Sequence, residues 1–128
     1  MQEARSNYMA TERAHLEKAA SNQRFLDSIS DEFPDWLAVV AFYKAVHLVE
    51  ALFARKGSPS HNHNHRNRRF RQEHPAIWKH FRPLFHASTL LRYSDTIMSA
   101  SAVRNELIAK RLSSVESLVR AQLGPPVG

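Results

Sequence analysis

The run WLAVVAFYKAVHLVEALFA, residues 36–54, decides the fold of this chain, because it is apolar on nearly every side at helical spacing. Only Lys44, His47 and Glu50 interrupt its apolar character. The run is long enough to cross a bilayer, but a lysine and a glutamate near its middle would be costly in lipid. We therefore predict that it forms the central helix of a protein core.

The flanking sequence also has helical periodicity and lacks the alternation of strands. Four further helices are predicted over residues 6–30, 61–73, 76–93 and 99–123. Pro34 should start the central helix and Gly57 should end it, while Pro83 should kink or split the helix over 76–93. The chain of 128 residues is expected to form one domain over residues 1–128, an all-α compact bundle of four to five helices.

The composition excludes some classes of chemistry. The chain contains no cysteine, so thiol catalysis, iron–sulfur ligation and zinc sites built on thiolates are ruled out. Its first residues, MQEARSN, lack the basic head and apolar run of a secretion signal. We expect a cytoplasmic protein that does not associate with membranes.

The net charge of +6 is concentrated in one window of the sequence. Residues 61–92 contain seven arginines and lysines against a single carboxylate, Glu73, together with six of the eight histidines. A local field of this kind attracts phosphates, so the window predicts a phosphate-binding surface. The alternative is a solvated basic surface that keeps the protein soluble.

Helical spacing places six residues of the central helix on one stripe: Trp36, Val40, Tyr43, His47, Glu50 and Ala54. A His and a Glu that face a core must find partners there, because an unpaired buried charge is costly. We expect those partners among the His and Arg of residues 61–73, or in Arg92 and Tyr93. Three interpretations remain open: these polar residues fix how the helix packs, they belong to a functional site, or they are exposed at the surface and have no role.

Several of these residues together resemble the HEPN domains, which are small helical bundles. The matching positions lie between Ala14 and Asp95, and they are Asn22–Leu26, Asp35-Trp36, Phe42–Ala51, Gly57, Ser60-His61, His65-Arg66-Asn67 and Leu91-Arg92-Tyr93. The resemblance implies an HEPN-like bundle that commonly dimerises and binds RNA or nucleotides. Many members are metal-independent ribonucleases of toxin–antitoxin, antiphage or RNA-processing systems.

The usual catalytic signature of that family is an Arg followed one helical turn or so later by a His, in a late helix. Arg104-Asn105-Glu106 resembles its beginning, but Ala109 or Lys110 stands where the His is expected. If the chain cleaves RNA, the candidate catalytic residues are therefore His47, His61 and Arg66, with His65 as a further acid–base candidate. The residues predicted to bind substrate or phosphate are Tyr43, Glu50, His65, Arg68, Arg69, Arg92 and Tyr93.

The alternating His61, His63 and His65 also raise the question of a metal, since imidazoles bind zinc, nickel or copper. On a helix, however, His61 and His65 share a face while His63 points away. No well-placed carboxylate lies nearby in the sequence. No native metal site and no cofactor are therefore predicted.

Two functions follow from these observations. The preferred one is an RNA- or nucleotide-binding HEPN-like domain, with metal-independent ribonuclease activity in a toxin–antitoxin or defence system as its catalytic form. The alternative is a non-catalytic protein-interaction module, antitoxin-like or scaffold-like. In that case the contacts among its His, Glu and Arg residues are structural, and its basic segment binds an acidic protein. A homodimer is expected from the resemblance and from the apolar content. Phe70 and Trp78 lie near the basic residues, where they could stack on bases, but a role in the core is favoured.

Overall fold

Five successive helices make up the regular structure in a computed structural model that describes residues 11–57 and 63–124. They are α1 (Glu12–Ser28), α2 (Pro34–Arg55), α3 (His63–Glu73), α4 (Pro75–Tyr93) and α5, which runs over residues 100–123. No strand occurs among the described residues. The prediction of an all-α bundle is therefore confirmed.

Helix α2 lies at the centre and packs against α1, α4 and α5. It is long and apolar enough to cross a membrane by length and composition, yet 72% of its most apolar window is buried inside the fold. Leu37, Leu48, Leu52 and Phe53 have almost no exposed surface. This is the behaviour of the core helix of a soluble bundle, as the interrupting charges predicted.

The helix ends follow recognisable signals in the sequence. The hydroxyl of Thr11 accepts the backbone N–H of Ala14 at 3.1 Å and so caps the start of α1. Pro34 occupies the first turn of α2. Gly57 follows α2 with a φ of +70°, the left-handed conformation that glycine adopts without strain. The predicted start of the first helix near residue 6 lies outside the described residues.

Two helices differ in detail from their predictions. Helix α4 continues through Pro83, so of the two predicted effects, a kink or a split, the split does not occur. Pro83 is only half-buried and Lys79, whose carbonyl loses its helical partner, is exposed, so water can replace that hydrogen bond. In α5, Val103–Leu112 is π-helical and is flanked by α-helical Ala100–Ala102 and Ser113–Leu123. Apolar spacing predicted one long helix there and does not distinguish the two patterns.

A chain of aromatic contacts fixes α3 and α4 on α2. Phe70 of α3 is fully buried, with its ring centroid 6.1 Å from that of Phe53 and 5.1 Å from that of Phe81. Phe81 in turn lies 5.6 Å from Phe42. The prediction that Phe70 serves the core is confirmed. Its burial also fixes which face of the basic helix α3 turns inward.

Candidate functional site

Two histidines meet where α1 packs against α2. The Nδ1 atoms of His15 and His47 are 3.1 Å apart, so one ring must donate a proton to the other. Burial, together with the charges of His15, Lys18 and Arg66, lowers the pKa of His47 to about 4. Burial also lowers the pKa of His15, although the charge of Glu50 opposes this shift. Both rings are therefore neutral near pH 7.

Arg66 reaches the same region from α3 and is only 3% exposed. One of its terminal nitrogens lies 4.0 Å from the Glu50 carboxylate, and the other is buried without a hydrogen-bond partner. The guanidinium also lies over the ring of Phe81, 5.6 Å from its centroid. Arg66, a candidate catalytic residue from the sequence, therefore lies inside the bundle. Because Phe70 is buried, the face of α3 that carries Arg66 is turned into the bundle.

We name His15, His47, Glu50 and Arg66 the polar cluster. The predicted pairing of Glu50 with an Arg of the following segment is confirmed by Arg66. The partner of His47 is a residue that the sequence analysis missed. His15 does share a helical stripe with Ala19 and Leu26, both of which are buried, and that spacing was the signal that could have identified it.

Tyr43 has its partner at a different place from the polar cluster, where α2 meets the end of α4. Arg92 lies with its guanidinium carbon 6.0 Å from the Tyr43 ring centroid and donates to the Tyr43 hydroxyl at 3.5 Å. The same guanidinium lies 5.0 Å from the Tyr93 ring. These three side chains are exposed. Arg92 was expected as a partner of His47 or Glu50, but it contacts Tyr43 instead, and it does so at the surface.

A basic groove lies between α3 and α4. We name it the basic groove. It has a volume of about 260 Å³ and is lined by Asn67, Arg68, Arg71 and Trp78. Arg68 and Arg71 are exposed and three residues apart, so they project from the same side of α3. Trp78 packs one side of its indole against Phe81, with 5.8 Å between ring centroids, and its remaining surface lines the groove.

The cations around this groove differ from Arg66 and Arg69, the other described arginines of α3, which lie within ion-pair distance of a carboxylate. Within residues 11–57 and 65–124, no carboxylate lies within ion-pair distance of Arg68, Arg71, Lys79 or Arg82. Arg69, in contrast, donates to Glu73 at 2.9 Å and stacks over Phe53 at 4.3 Å from the ring centroid. The described cations of the basic window therefore divide into those paired within the fold and those without a carboxylate partner.

The remaining predicted site residues can be placed only in part. His61 lies outside the described residues, as does the side chain of His63. His65 is half-buried and has interactions of its own. In the part of the chain whose side chains are described, no group of three or more His, Asp or Glu is placed to hold a metal ion.

A second buried polar contact was also missed by the sequence analysis. Lys44 of α2 donates from Nζ to Gln23 of α1 and to Glu116 of α5, each at 2.7 Å. Glu116 also accepts from Arg120 at 3.0 Å. Lys44 is a core lysine that ties three helices together, and the sequence marked it only as an interruption of the apolar run.

Comparison of the chain with protein-family models, with curated proteins and with solved structures found no match. The resemblance to HEPN domains therefore remains a prediction from the residues quoted above.

Proposed function

We propose that the protein binds RNA or nucleotides through the basic groove between α3 and α4. The observation that carries this proposal is that a tryptophan and two arginines, neither paired with a carboxylate of the described residues, line the same groove. Guanidinium groups pair with phosphate oxygens, and an indole offers a stacking surface for a base. The side-chain amide nitrogen of Asn67 adds a donor for the edge of a base, while its oxygen accepts from Arg66 Nε at 3.3 Å.

Exposed cations next to the basic groove extend its positive electrostatic field. Lys79 and Arg82 are exposed on the first half of α4, next to the helix that carries Arg68 and Arg71. A track of cations along two adjacent helices suits a phosphate backbone better than a single phosphate. A single-stranded segment, whose bases are free to stack, is therefore the ligand that fits best.

The polar cluster supports binding more than cleavage. RNA cleavage needs a base that can take a 2′-hydroxyl proton, and a pKa of about 4 makes His47 a weak base. Its ring is also engaged with His15. Arg66 is buried rather than placed for a substrate phosphate. Among the predicted catalytic residues, His61 is left for experiment to decide.

The binding test is fluorescence anisotropy with a labelled single-stranded RNA over a range of salt concentrations. The variant Arg68→Gln/Arg71→Gln should weaken binding at least tenfold and reduce the salt slope, by about 0.7 for each lost phosphate contact. The matched control is Lys18→Gln/Arg24→Gln, which removes the same charge from exposed positions on α1. Equal weakening by both variants, or no binding at all, would contradict the proposal.

Intrinsic fluorescence separates binding in the groove from binding elsewhere, because the chain has two tryptophans. In the variant Trp36→Phe, RNA should quench the fluorescence of Trp78. In the variant Trp78→Phe, the fluorescence of Trp36 should not respond to RNA. An acidic peptide that competes with RNA without quenching Trp78 would favour the alternative of an acidic protein partner.

Cleavage is tested by incubating the metal-free protein with mixed cellular RNA beside the His61→Ala and His47→Ala variants. Loss of cleavage in the His61→Ala protein alone would make the protein a ribonuclease that depends on His61. Intact RNA together with groove-dependent binding would establish a non-catalytic RNA-binding domain.

A further inference from the structure

A second groove lies at the elbow, which is the turn between the end of α1 and the start of α2. Three large aromatic side chains line it: Phe25 and Phe33 are each 52% exposed, and Trp36 is 57% exposed. With Ile29 they enclose a volume of about 340 Å³. We name this the elbow groove. Neighbouring exposed aromatics of this kind mark a surface that another molecule covers.

The elbow groove is held in shape by contacts behind it. The chain turns between the helices with the Phe33 N–H donating to the Ser30 carbonyl at 3.0 Å, and Pro34 then starts α2. From α5, Arg104 donates to Asp31 at 2.7 Å and to the Ile29 carbonyl at 3.5 Å. The aromatic surface is thus preformed, so a ligand need not order it.

The rim of the groove is acidic, although the protein as a whole carries a charge of +6. Four exposed carboxylates lie within the elbow, Asp27, Asp31, Glu32 and Asp35, against one exposed arginine, Arg24, next to Phe25. Asp31 is paired with Arg104. In the described part of the chain, no cation lies within ion-pair distance of Glu32 or Asp35.

We propose that the elbow groove docks a basic amphipathic helix of a partner protein. Apolar side chains at helical spacing would enter between Phe25, Phe33 and Trp36, and flanking lysines or arginines would meet the carboxylates of the rim. This site is independent of the basic groove and of the proposed binding of RNA. It assigns the protein a second surface of opposite charge.

A second copy of the chain does not fit this groove. Two elbow grooves facing each other across a two-fold axis would bring the carboxylates of each against those of the other. The basic surface on α3 and the start of α4, in turn, offers among its described residues only the half-buried Trp78 as a large aromatic side chain. The carboxylate rim also disfavours an anionic lipid surface.

The test uses two labelled helical peptides with leucine at positions i, i+3, i+4 and i+7. One carries lysine at the remaining positions and the other carries glutamate. The wild-type protein should bind the Leu/Lys peptide at least tenfold more tightly than the Leu/Glu peptide. Equal binding of the two peptides would overturn the proposal.

Two variants locate the binding and keep the test independent of folding. Phe33→Ser/Trp36→Ser should weaken binding of the Leu/Lys peptide about tenfold or more. Glu32→Gln/Asp35→Asn removes only the charges and should weaken it severalfold, whereas Glu17→Gln/Glu73→Gln, which removes the same charge at exposed distant positions, should not. Circular dichroism establishes that each variant is folded. Binding that neither groove variant changes would refute the site.

Sedimentation velocity over a wide range of protein concentrations tests the competing occupant. Self-association that the Phe33→Ser/Trp36→Ser variant abolishes would show that a second copy covers the groove, and the proposal would then be wrong. RNA binding is measured on the Phe33→Ser/Trp36→Ser and Glu32→Gln/Asp35→Asn variants and should be unchanged, so failure of either proposal leaves the other intact.

Discussion

Replacing Lys44 tests the buried contact that joins α1, α2 and α5. The Lys44 side chain is 8% exposed and that of Glu116 is 29% exposed. Breaking a buried ion pair by removing one partner costs about 3–5 kcal/mol, because the other charge stays desolvated. Glu116 keeps Arg120 and some contact with water. We therefore expect Lys44→Met, which retains the length of the apolar stem, to lower the free energy of unfolding by about 2 kcal/mol.

Lys44→Ala removes the stem as well as the charge. The missing methylene groups each contribute about 0.8 kcal/mol when buried, so this variant should lose a further 1–2 kcal/mol, about 3–4 kcal/mol in total. The assay is urea denaturation at pH 7 followed by circular dichroism. The difference between the two variants separates packing from the ion pair.

The double variant Lys44→Met/Glu116→Gln is the matched control. It removes both charges, so it should be more stable than Lys44→Met alone. Burial raises the pKa of Glu116, but its hydrogen bonds and charge interactions with Lys44 and Arg120 outweigh burial and leave the pKa below its ordinary value of 4.5. The pair therefore stabilises the fold above about pH 4.5 and loses this effect as the pH falls through the folded pKa. A Lys44→Met protein within about 0.5 kcal/mol of wild type would refute the reasoning.

Two further predictions concern the polar cluster. Arg66→Ala should destabilise the protein by about 2–3 kcal/mol in urea denaturation. The variant leaves Glu50 without this cation and removes a buried side chain that packs on Phe81. A melting temperature equal to that of wild type would contradict the burial of Arg66. The free energy of unfolding should fall as the pH is lowered from 6.5 toward 4, since His47 is then protonated in the unfolded chain but still neutral in the folded protein. In the His47→Gln variant this part of the pH dependence should be smaller, and an identical pH profile for the two proteins would rule out the neutral histidine pair.

The sequence predicted the helices well because helix formation leaves a local signal. The apolar run of α2, Pro34 at its start and Gly57 at its end each act on residues a few positions away. The sequence could not decide whether Pro83 splits its helix, because the cost of a proline inside a helix depends on whether water reaches the freed carbonyl. That access is a property of the assembled bundle.

The candidate site was predicted only where partners are near in the sequence. Glu50 and Arg66 belong to consecutive helices, so the sequence could predict that Glu50 pairs with an arginine of the following segment. His15 and Gln23 lie one helix earlier and Glu116 lies at the far end of the chain, and their contacts with His47 and Lys44 depend on how the helices cross. The HEPN resemblance, the homodimer and the cytoplasmic location remain predictions.

The amino-acid sequence determined the all-α class, the central position of α2 and the location of the positive charge, because periodicity and composition act through neighbours along the chain. Only the tertiary structure decided which cations are paired within the fold. The burial of Phe70 turns Arg66 into the bundle and leaves Arg68 and Arg71 outside beside Trp78. Whether a charge is paired depends on the distance to groups from other helices, and packing sets that distance.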